Sequence, residues 1–481
     1  MISRKAALAG AIASLVLIQS GVSLAEMRDP VFATSSTCDT ARTPAMERLE
    51  DIVAAVRTGE GSAVSAALDR NWSPQASEAR AELEPVLLRW ASLNRNLSAV
   101  EVCAQSGNRA SAFYRNELTG LIDHIRLTVE DGGAGQITQG FARPGYRTDA
   151  DPAARRPDRV RVARLDDFVD QLVARDLFSG VIIVARDGVP IYQRAVGRRN
   201  DAGDPIRIDD AFEMASSTKM FTATIIFQMI EQGRLSLDMT LAEAAPSLVA
   251  TDEDLRATGD LVRHIQIRHL LSHTSGIVDG PPPYGEPGHY QYANTNFWIL
   301  GKIIEEQSGM RYEDYLRQYL LGPLGMANTS RYEMSRPSDA LVTGYMSGVA
   351  NGAETFTANP LLQTIAGGAQ GGYYSSAPDM LRFAAALRSG RLVSQQSLDE
   401  MRSVHPEIGA NIYGFGMLRW RGRGIWGHAG DLPGADVDIE FYGDTPYTAI
   451  VMSNRDNGCD PLIAKVRALF YPEGGSGPPI L

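Results

Sequence analysis

The chain has 481 residues, 44% hydrophobic and 21% charged. That is ordinary globular composition; it excludes collagen, coiled coil and long disorder, and the length suits two or three domains. With 46 basic against 57 acidic residues the net charge is −11, which makes the chain a poor partner for nucleic acid, because phosphate contacts need clustered Lys and Arg.

The first element reads as a targeting segment. Arg4 and Lys5 form a short positive region, Ala6 to Ile18 an apolar one, and Ser23-Leu24-Ala25 supplies the small residues a signal peptidase reads. Residues 1–25 are therefore expected to be a cleaved signal peptide and the protein to be periplasmic or secreted. In such a compartment Cys38 and Cys103 could pair, although three cysteines are too few for a disulfide scaffold. Past residue 25 no apolar run approaches the ~20 residues that span a bilayer, so the mature chain is expected to have no membrane span.

Residues 26–141 read as a small α+β accessory domain. Leu49, Ile52, Val53 and Val56 recur at helical spacing, and shorter helices follow around Val64–Leu68 and Leu83–Trp90. Alternating runs then predict an antiparallel meander: Val100 and Val102, Ala110 to Tyr114, and Ile125 to Val129. The unit offers no cluster of catalytic residue types. Its His124 falls in a strand pattern and reads as structural. Residues 142–161, with Pro144, Pro152 and Pro157 among Arg and Asp, lack a period and read as a linker.

From residue 162 to 473 a second domain follows, with 474–481 as a flexible tail. A helix through Leu165, Phe168, Val169 and Leu172 leads into two β-rich runs, Gly180–Arg186 and Ile191–Val196, joined by the hairpin signal Asp187-Gly188. A long, mostly helical stretch follows. Strands return between Gly414 and Ser453, then a last helix near Pro461–Phe470. Strands from both ends can form one antiparallel sheet flanked by helices, with the helical middle as an inserted subdomain.

Three short motifs carry chemistry. Ser216 and Lys219 are spaced i, i+3, one turn apart on one helix face. The residues after them, Met220 to Ile230, are apolar on most sides, so a lysine there would sit at a buried helix end, with a lowered pKa and able to take a proton from Ser216. By itself S-x-x-K also describes a capping serine beside a surface lysine. Tyr292-Ala293-Asn294 closes a Pro- and Gly-rich loop and opens a helix. Its tyrosine is a useful base only if a nearby cation lowers its pKa from about 10. Gly427-His428-Ala429-Gly430 ends a strand, where small residues would let a substrate backbone lie along the edge.

In this order and spacing the motifs resemble the serine β-lactamase and penicillin-binding-protein superfamily, in its class C-like branch with related esterases and D-peptidases. Phe212-Glu213, Lys219-Met220-Phe221-Thr222, Ile267 to Ile277 (IRHLLSHTSGI) and Gly371 to Ala377 (GGYYSSA) carry the same resemblance. It covers roughly residues 163 to 472 and implies an antiparallel sheet flanked by helices plus a helical subdomain, with the site between. It implies Ser216 as acylated nucleophile and Lys219 and Tyr292 as shared base. Asn294 would bind the substrate amide, and the backbone N–H groups of Ser216 and Asp431 would form the oxyanion hole. Ala429 and Gly430 would line the substrate strand. No cofactor or metal is implied, and the spacing of His264, His269 and His273 fits no zinc signature.

Two residues depart from the pattern. His428 stands where β-lactamases of this branch carry a lysine, which implies an ester or peptide substrate over efficient β-lactam turnover and a pH-dependent anchor for a substrate carboxylate. Asp431 stands where relatives have a small residue; its carboxylate would oppose an oxyanion unless it points away. The expected function is an exported serine hydrolase acting on a small-molecule ester or a D-amino-acid amide or peptide. A weak β-lactamase and a catalytically silent peptidoglycan- or protein-binding relative are the alternatives.

Overall fold

A computed structural model describes residues 42–93, 97–116, 121–130, 135–148, 151–332, 341–351, 353–360, 362, 367–420, 424–443 and 445–471. The expected signal segment 1–25, the tail 474–481 and both thiols of the Cys38–Cys103 pair lie outside what it describes. No helix among the described residues is long and apolar enough to cross a membrane.

The chain forms two compact units. The first holds the described residues up to Ser179 together with Tyr345–Asn359 and those from Arg455 onward; the second holds Gly180–Gly344 and Pro360–Asn454. The first unit opens with α1 (Pro44–Arg57), α2 (Gly61–Asn71) and α3 (Ser77–Leu93), then β1 (Leu97–Ser106), β2 (Arg109–Asn116), β3 (Leu121–Val129) and β4 (Ile137–Thr148). Thr43 caps α1 by accepting the Met46 N–H, with Pro44 in the first turn. The helical stripe Leu49, Ile52, Val53 and Val56 is buried against Ile125, Leu127 and Val129, which alternate onto one face of β3. The four strands pair antiparallel in the order β1-β2-β3-β4.

Strand β4 extends into the stretch that the sequence marks as a linker. Pro144 falls at a register shift between Ile122 and His124 of β3, and β4 is an edge strand, where a missing N–H can be tolerated. Beyond it, Asp151 caps a short turn, Pro152–Arg155, and α4 (Asp158–Val173) follows. The Lys465 ammonium lies 2.6 Å from the Asp151 carboxylate and ties this segment to the last helix of the same unit. His124 is buried, contacts the Ser111 hydroxyl through Nε2 at 2.8 Å and stacks on Phe113, a packing role.

The second unit begins with β5 (Gly180–Arg186) and β6 (Val189–Val196). Asp187 and Gly188 between them both have positive φ (51° and 76°), the backbone a two-residue type I′ hairpin requires. Pro190 lies in the edge strand β6 beside a register shift. Then come β7 (Ala211–Glu213), α5 (Lys219–Glu231), α6 (Asn294–Ser308) and β8 (Ser330–Arg331). The hairpin β9 (Tyr345–Ala350) and β10 (Ala353–Ala358) belongs to the first unit. The chain continues through β11 (Tyr373–Ser376), α7 (Ala377–Arg388) and α8 (Gln395–Arg402) to β12 (Leu418–Trp420), β13 (Ile425–Leu432), β14 (Ala435–Tyr442) and β15 (Tyr447–Ser453). The last helix, α9 (Asp460–Phe470), is again in the first unit.

Six strands form one antiparallel sheet in the order β12-β13-β14-β15-β5-β6. The pairing of β15 with β5 closes the sheet between distant parts of the chain, so the residues between β6 and β12 are an insertion, as the sequence implied. Helix α5 is the centre of the packing. Met220, Phe221, Ala223, Ile225, Ile226, Phe227 and Met229 are all buried, at ~1.5–3 kcal/mol for each large side chain. A smaller sheet, β7-β11-β8, lies at the start of that helix.

Candidate active site

The nucleophile candidate sits on a constrained turn. Strand β7 ends at Glu213, whose Oε1 accepts the Ala215 N–H at 3.0 Å. Ala215 has φ 43°, an uncommon backbone for a residue with a Cβ, which persists only where neighbours hold it. Burial raises the Glu213 pKa to about 8. Ser216 then lies in a 3₁₀ turn, Ala215–Thr218, that runs directly into α5. The S-x-x-K spacing therefore produces the expected one-turn separation.

Lys219 is fully buried, and its Nζ has three neighbours: Asn294 Oδ1 at 2.8 Å, the Gln370 carbonyl at 2.6 Å and Ser216 Oγ at 3.0 Å. The first two oxygens only accept, so they take two N–H groups. Ser216 Oγ is a hydroxyl and can donate. A neutral Lys219 would thus turn its lone pair to Ser216. Burial lowers the Lys219 pKa to about 7, with the Asp279 carboxylate acting in the opposite direction. The Nζ also lies 4.9 Å from the Tyr292 ring centroid.

Tyr292 donates its hydroxyl to Ser216 Oγ at 2.7 Å. The sequence reading asked for a tyrosine with a lowered pKa; here burial raises it. Tyr292 is therefore held as a protonated phenol, while burial shifts Lys219 toward its neutral form. His273 packs against the Tyr292 ring at 4.2 Å, and its Nδ1 accepts the Ala293 N–H at 3.2 Å, so it braces the Tyr-Ala-Asn motif.

Asn294 opens α6 as the sequence suggested. Its Nδ2 donates to Asp279 Oδ2 at 3.2 Å, which turns its Oδ1 toward Lys219.

His428 does not match its expected role. It is 1% exposed; Nδ1 donates to the Ala429 carbonyl at 2.5 Å, and Nε2 accepts the Tyr413 hydroxyl at 2.8 Å. Burial first, and Lys219 second, lower its pKa to about 3. A ring with both nitrogens engaged inside the protein, and neutral at ordinary pH, cannot serve as a cationic anchor for a substrate.

Strand β13 continues past the Gly427–Gly430 motif to Leu432. A Cβ added at Gly430 would lie 2.3 Å from the Met214 carbonyl and 3.2 Å from Ala215 Cβ, so only glycine lets the strand approach the nucleophile turn this closely. Side chains alternate along a strand, so Ala429 and Asp431 share the face opposite Gly430, together with their partners Asp438 and Asp436. The Asp431 carboxylate thus points away from the turn, and the expected conflict with an oxyanion does not arise.

Ser216, Lys219, Tyr292, Asn294 and Gly430 are brought together; His428 lies behind them and the Asp431 side chain faces away. Sequence reasoning missed Asp279, Glu213, Tyr413 and Gln370. Glu213 lay inside a quoted motif without a role. Asp279 and Tyr413 had no spacing signal, and Gln370 contributes a backbone carbonyl, which no side-chain pattern reveals.

Comparisons with known proteins bear on the family and the fold. The family model described as Beta-lactamase matches residues 165–470. The chain is 28% identical over 337 residues to Penicillin-binding protein 4* of Bacillus subtilis, covering 61% of this chain and 71% of that one. It is 28% identical over 312 residues to Esterase EstB of Burkholderia gladioli, covering 59% and 71%. The D-amino acid amidase of Ochrobactrum anthropi shares the fold, with a TM-score of 0.51 at 22% identity over 64% of this chain and 98% of that one. A match over this much of the sequence, joined to a serine, lysine and tyrosine in contact, means that the chain belongs to the beta-lactamase family.

Proposed function

We propose that this protein is a serine hydrolase that acts through an acyl-Ser216 intermediate on an ester or a D-amino-acid amide or peptide. The observation that carries the reading is the position of Ser216 Oγ, 3.0 Å from Lys219 Nζ and 2.7 Å from the Tyr292 hydroxyl. Neutral Lys219 takes the Ser216 proton as Oγ attacks the substrate carbonyl. The new C–O bond places negative charge on the carbonyl oxygen, which the backbone N–H groups of Ser216 and Asp431 would stabilise. The proton returns through Tyr292 to the leaving alkoxide or amine as that bond breaks. Water, activated by the same pair, then releases the acid and frees Ser216.

Lack of a cation at His428 supports substrates that are neutral at that end over β-lactams, which carry a carboxylate. The name of Esterase EstB supports the ester class. The charged segment Arg4–Lys5 and the apolar run after it support export to the periplasm or medium.

A fluorophosphonate probe, with the adduct mapped by mass spectrometry, tests the chemistry. One adduct on Ser216 is expected, and none in Ser216→Ala. Labelling that persists in that variant overturns the assignment. Chromogenic esters, D-aminoacyl anilides and a chromogenic cephalosporin, measured side by side, identify the substrate class. Fast cephalosporin turnover would favour the β-lactamase alternative. No turnover and no labelling would favour a silent binding protein.

A further inference from the structure

Helix α6 starts without a cap of its own. Ala293 occupies the N-cap position and has no side-chain acceptor, so the first N–H groups of the helix must be satisfied from elsewhere. Asp279, fifteen residues upstream, supplies the acceptors. Its Oδ2 takes the Asn294 N–H at 3.0 Å and the Asn294 Nδ2–H at 3.2 Å. Its Oδ1 takes the Thr295 N–H and the Thr295 hydroxyl, each at 2.8 Å. A carboxylate is also favoured by the positive end of the helix dipole.

This capping reaches the catalytic cluster in two ways. A carboxylate only accepts, so it fixes the Asn294 carboxamide with Nδ2 toward Asp279 and Oδ1 toward Lys219. A flipped amide would instead present its own N–H groups to the lysine. The carboxylate also places a negative charge near an otherwise desolvated lysine, which favours the ammonium form. The other groups around Lys219 are Ser216, Tyr292 and the Gln370 carbonyl, with the imidazoles of His273 and His428 beyond. Burial keeps both imidazoles neutral and Tyr292 protonated, so Asp279 is the anion whose field acts on the lysine.

We propose that Asp279 is a positioning residue for Lys219: it caps α6 from outside the helix, turns Asn294 Oδ1 toward Nζ, and sets the pH at which the lysine can act as a base. The proposal rests on the reading of Ser216 and Lys219 given above. It predicts that the pH dependence of Ser216 reactivity is governed by a residue that never touches substrate.

The test is the rate of fluorophosphonate labelling of the full chain against pH, for the wild type, Asp279→Asn and Asp279→Glu. The wild-type rate should rise through pH 7 as Lys219 loses its proton. Asp279→Asn keeps the shape and one acceptor oxygen, but removes the charge and offers an N–H to Asn294. Its limb should move to lower pH by at least about half a unit. Its plateau should fall roughly tenfold through loss of one oriented hydrogen bond. Asp279→Glu should return the limb toward the wild-type pH, because the charge is restored. A limb that stays in place in Asp279→Asn, with only a uniform loss of rate, would mean that Asp279 merely caps the helix and would overturn the proposal. If circular dichroism shows the Asn variant unfolded, Asp279→Ser, an uncharged capping residue, carries the same limb test. Absence of any labelling of the wild type would instead overturn the serine-hydrolase reading itself.

Discussion

The Tyr292 hydroxyl donates to Ser216 Oγ across 2.7 Å, and the burial that surrounds it pushes its pKa up, away from the range of a base. Lys219, on the other side of the same oxygen, is shifted toward neutrality by burial of its charge. Desolvation disfavours the charged form of each group, and the result is a neutral phenol beside a lysine that titrates near 7.

That division of labour predicts the kinetics. Lys219→Ala and Tyr292→Phe should each lower kcat by about 10²-fold or more, the range expected for loss of a general acid or base. The double variant should lose little beyond the worse single one, because the two groups act on one proton path. With the Lys219 pKa at about 7, wild-type kcat/KM should rise as pH passes through 7 and level above it. Tyr292→Phe should keep that limb. Steady-state kinetics from pH 5.5 to 9 check both points; full additivity would assign the two residues to separate steps.

Burying Lys219 also has a cost in stability, with a defined pH window. Its folded pKa of about 7 lies below the unfolded value of 10.5, so the unfolded state binds the extra proton between those values. The native state therefore loses stability as pH falls from 10.5 to 7, and the loss is complete below 7. Lys219→Met should raise Tm most at pH 7 and below, and the gain should fade as pH approaches 10. Thermal melts across that range measure it; no gain at pH 6 would mean that the ammonium is better solvated than its burial implies.

His428 is expected to be silent in pH profiles. With its pKa lowered to about 3 and both ring nitrogens bonded to Ala429 and Tyr413, it should stay neutral from pH 5.5 to 8.5. The ratio of kcat/KM for a carboxylate-bearing ester to that for a neutral ester should be flat over this range. Using the ratio cancels the titration of Lys219. A ratio that climbs toward low pH would put a protonated His428 back in contact with substrate.

Glu213 should prove important through its oxygen rather than its charge. Its Oε1 holds the Ala215 N–H, and Ala215 sets the backbone from which Ser216 projects. Glu213→Gln retains an acceptor and should keep kcat within about threefold of wild type, whereas Glu213→Ala leaves a buried N–H unsatisfied at ~1–3 kcal/mol and frees the turn. The Ala variant should therefore lose kcat much more than the Gln variant. Equal kinetics for the two would mean that the turn holds without this contact.

Much of this protein is legible in its residue order because the relevant physics is local. Helical spacing in Leu49–Val56, the Asp187-Gly188 turn and the separation of Ser216 from Lys219 depend on backbone geometry within a few residues, which the chain carries wherever it folds. The same holds for Asn294 at a helix start. Strand β4 was hidden because Pro144 and its neighbours look like a linker until the strand is seen at a sheet edge. The cap that Asp279 supplies to α6 and the Tyr413 hydroxyl on His428 join residues 15 positions apart, and the Gln370 carbonyl on Lys219 spans 151, all beyond the reach of a helical or strand repeat. The direction in which Tyr292 and His428 shift could not be read from their identities, since it follows from how much water and charge the folded chain leaves around each ring. Local geometry comes with the order of residues; desolvation and long-range partners exist only once the chain has closed around them.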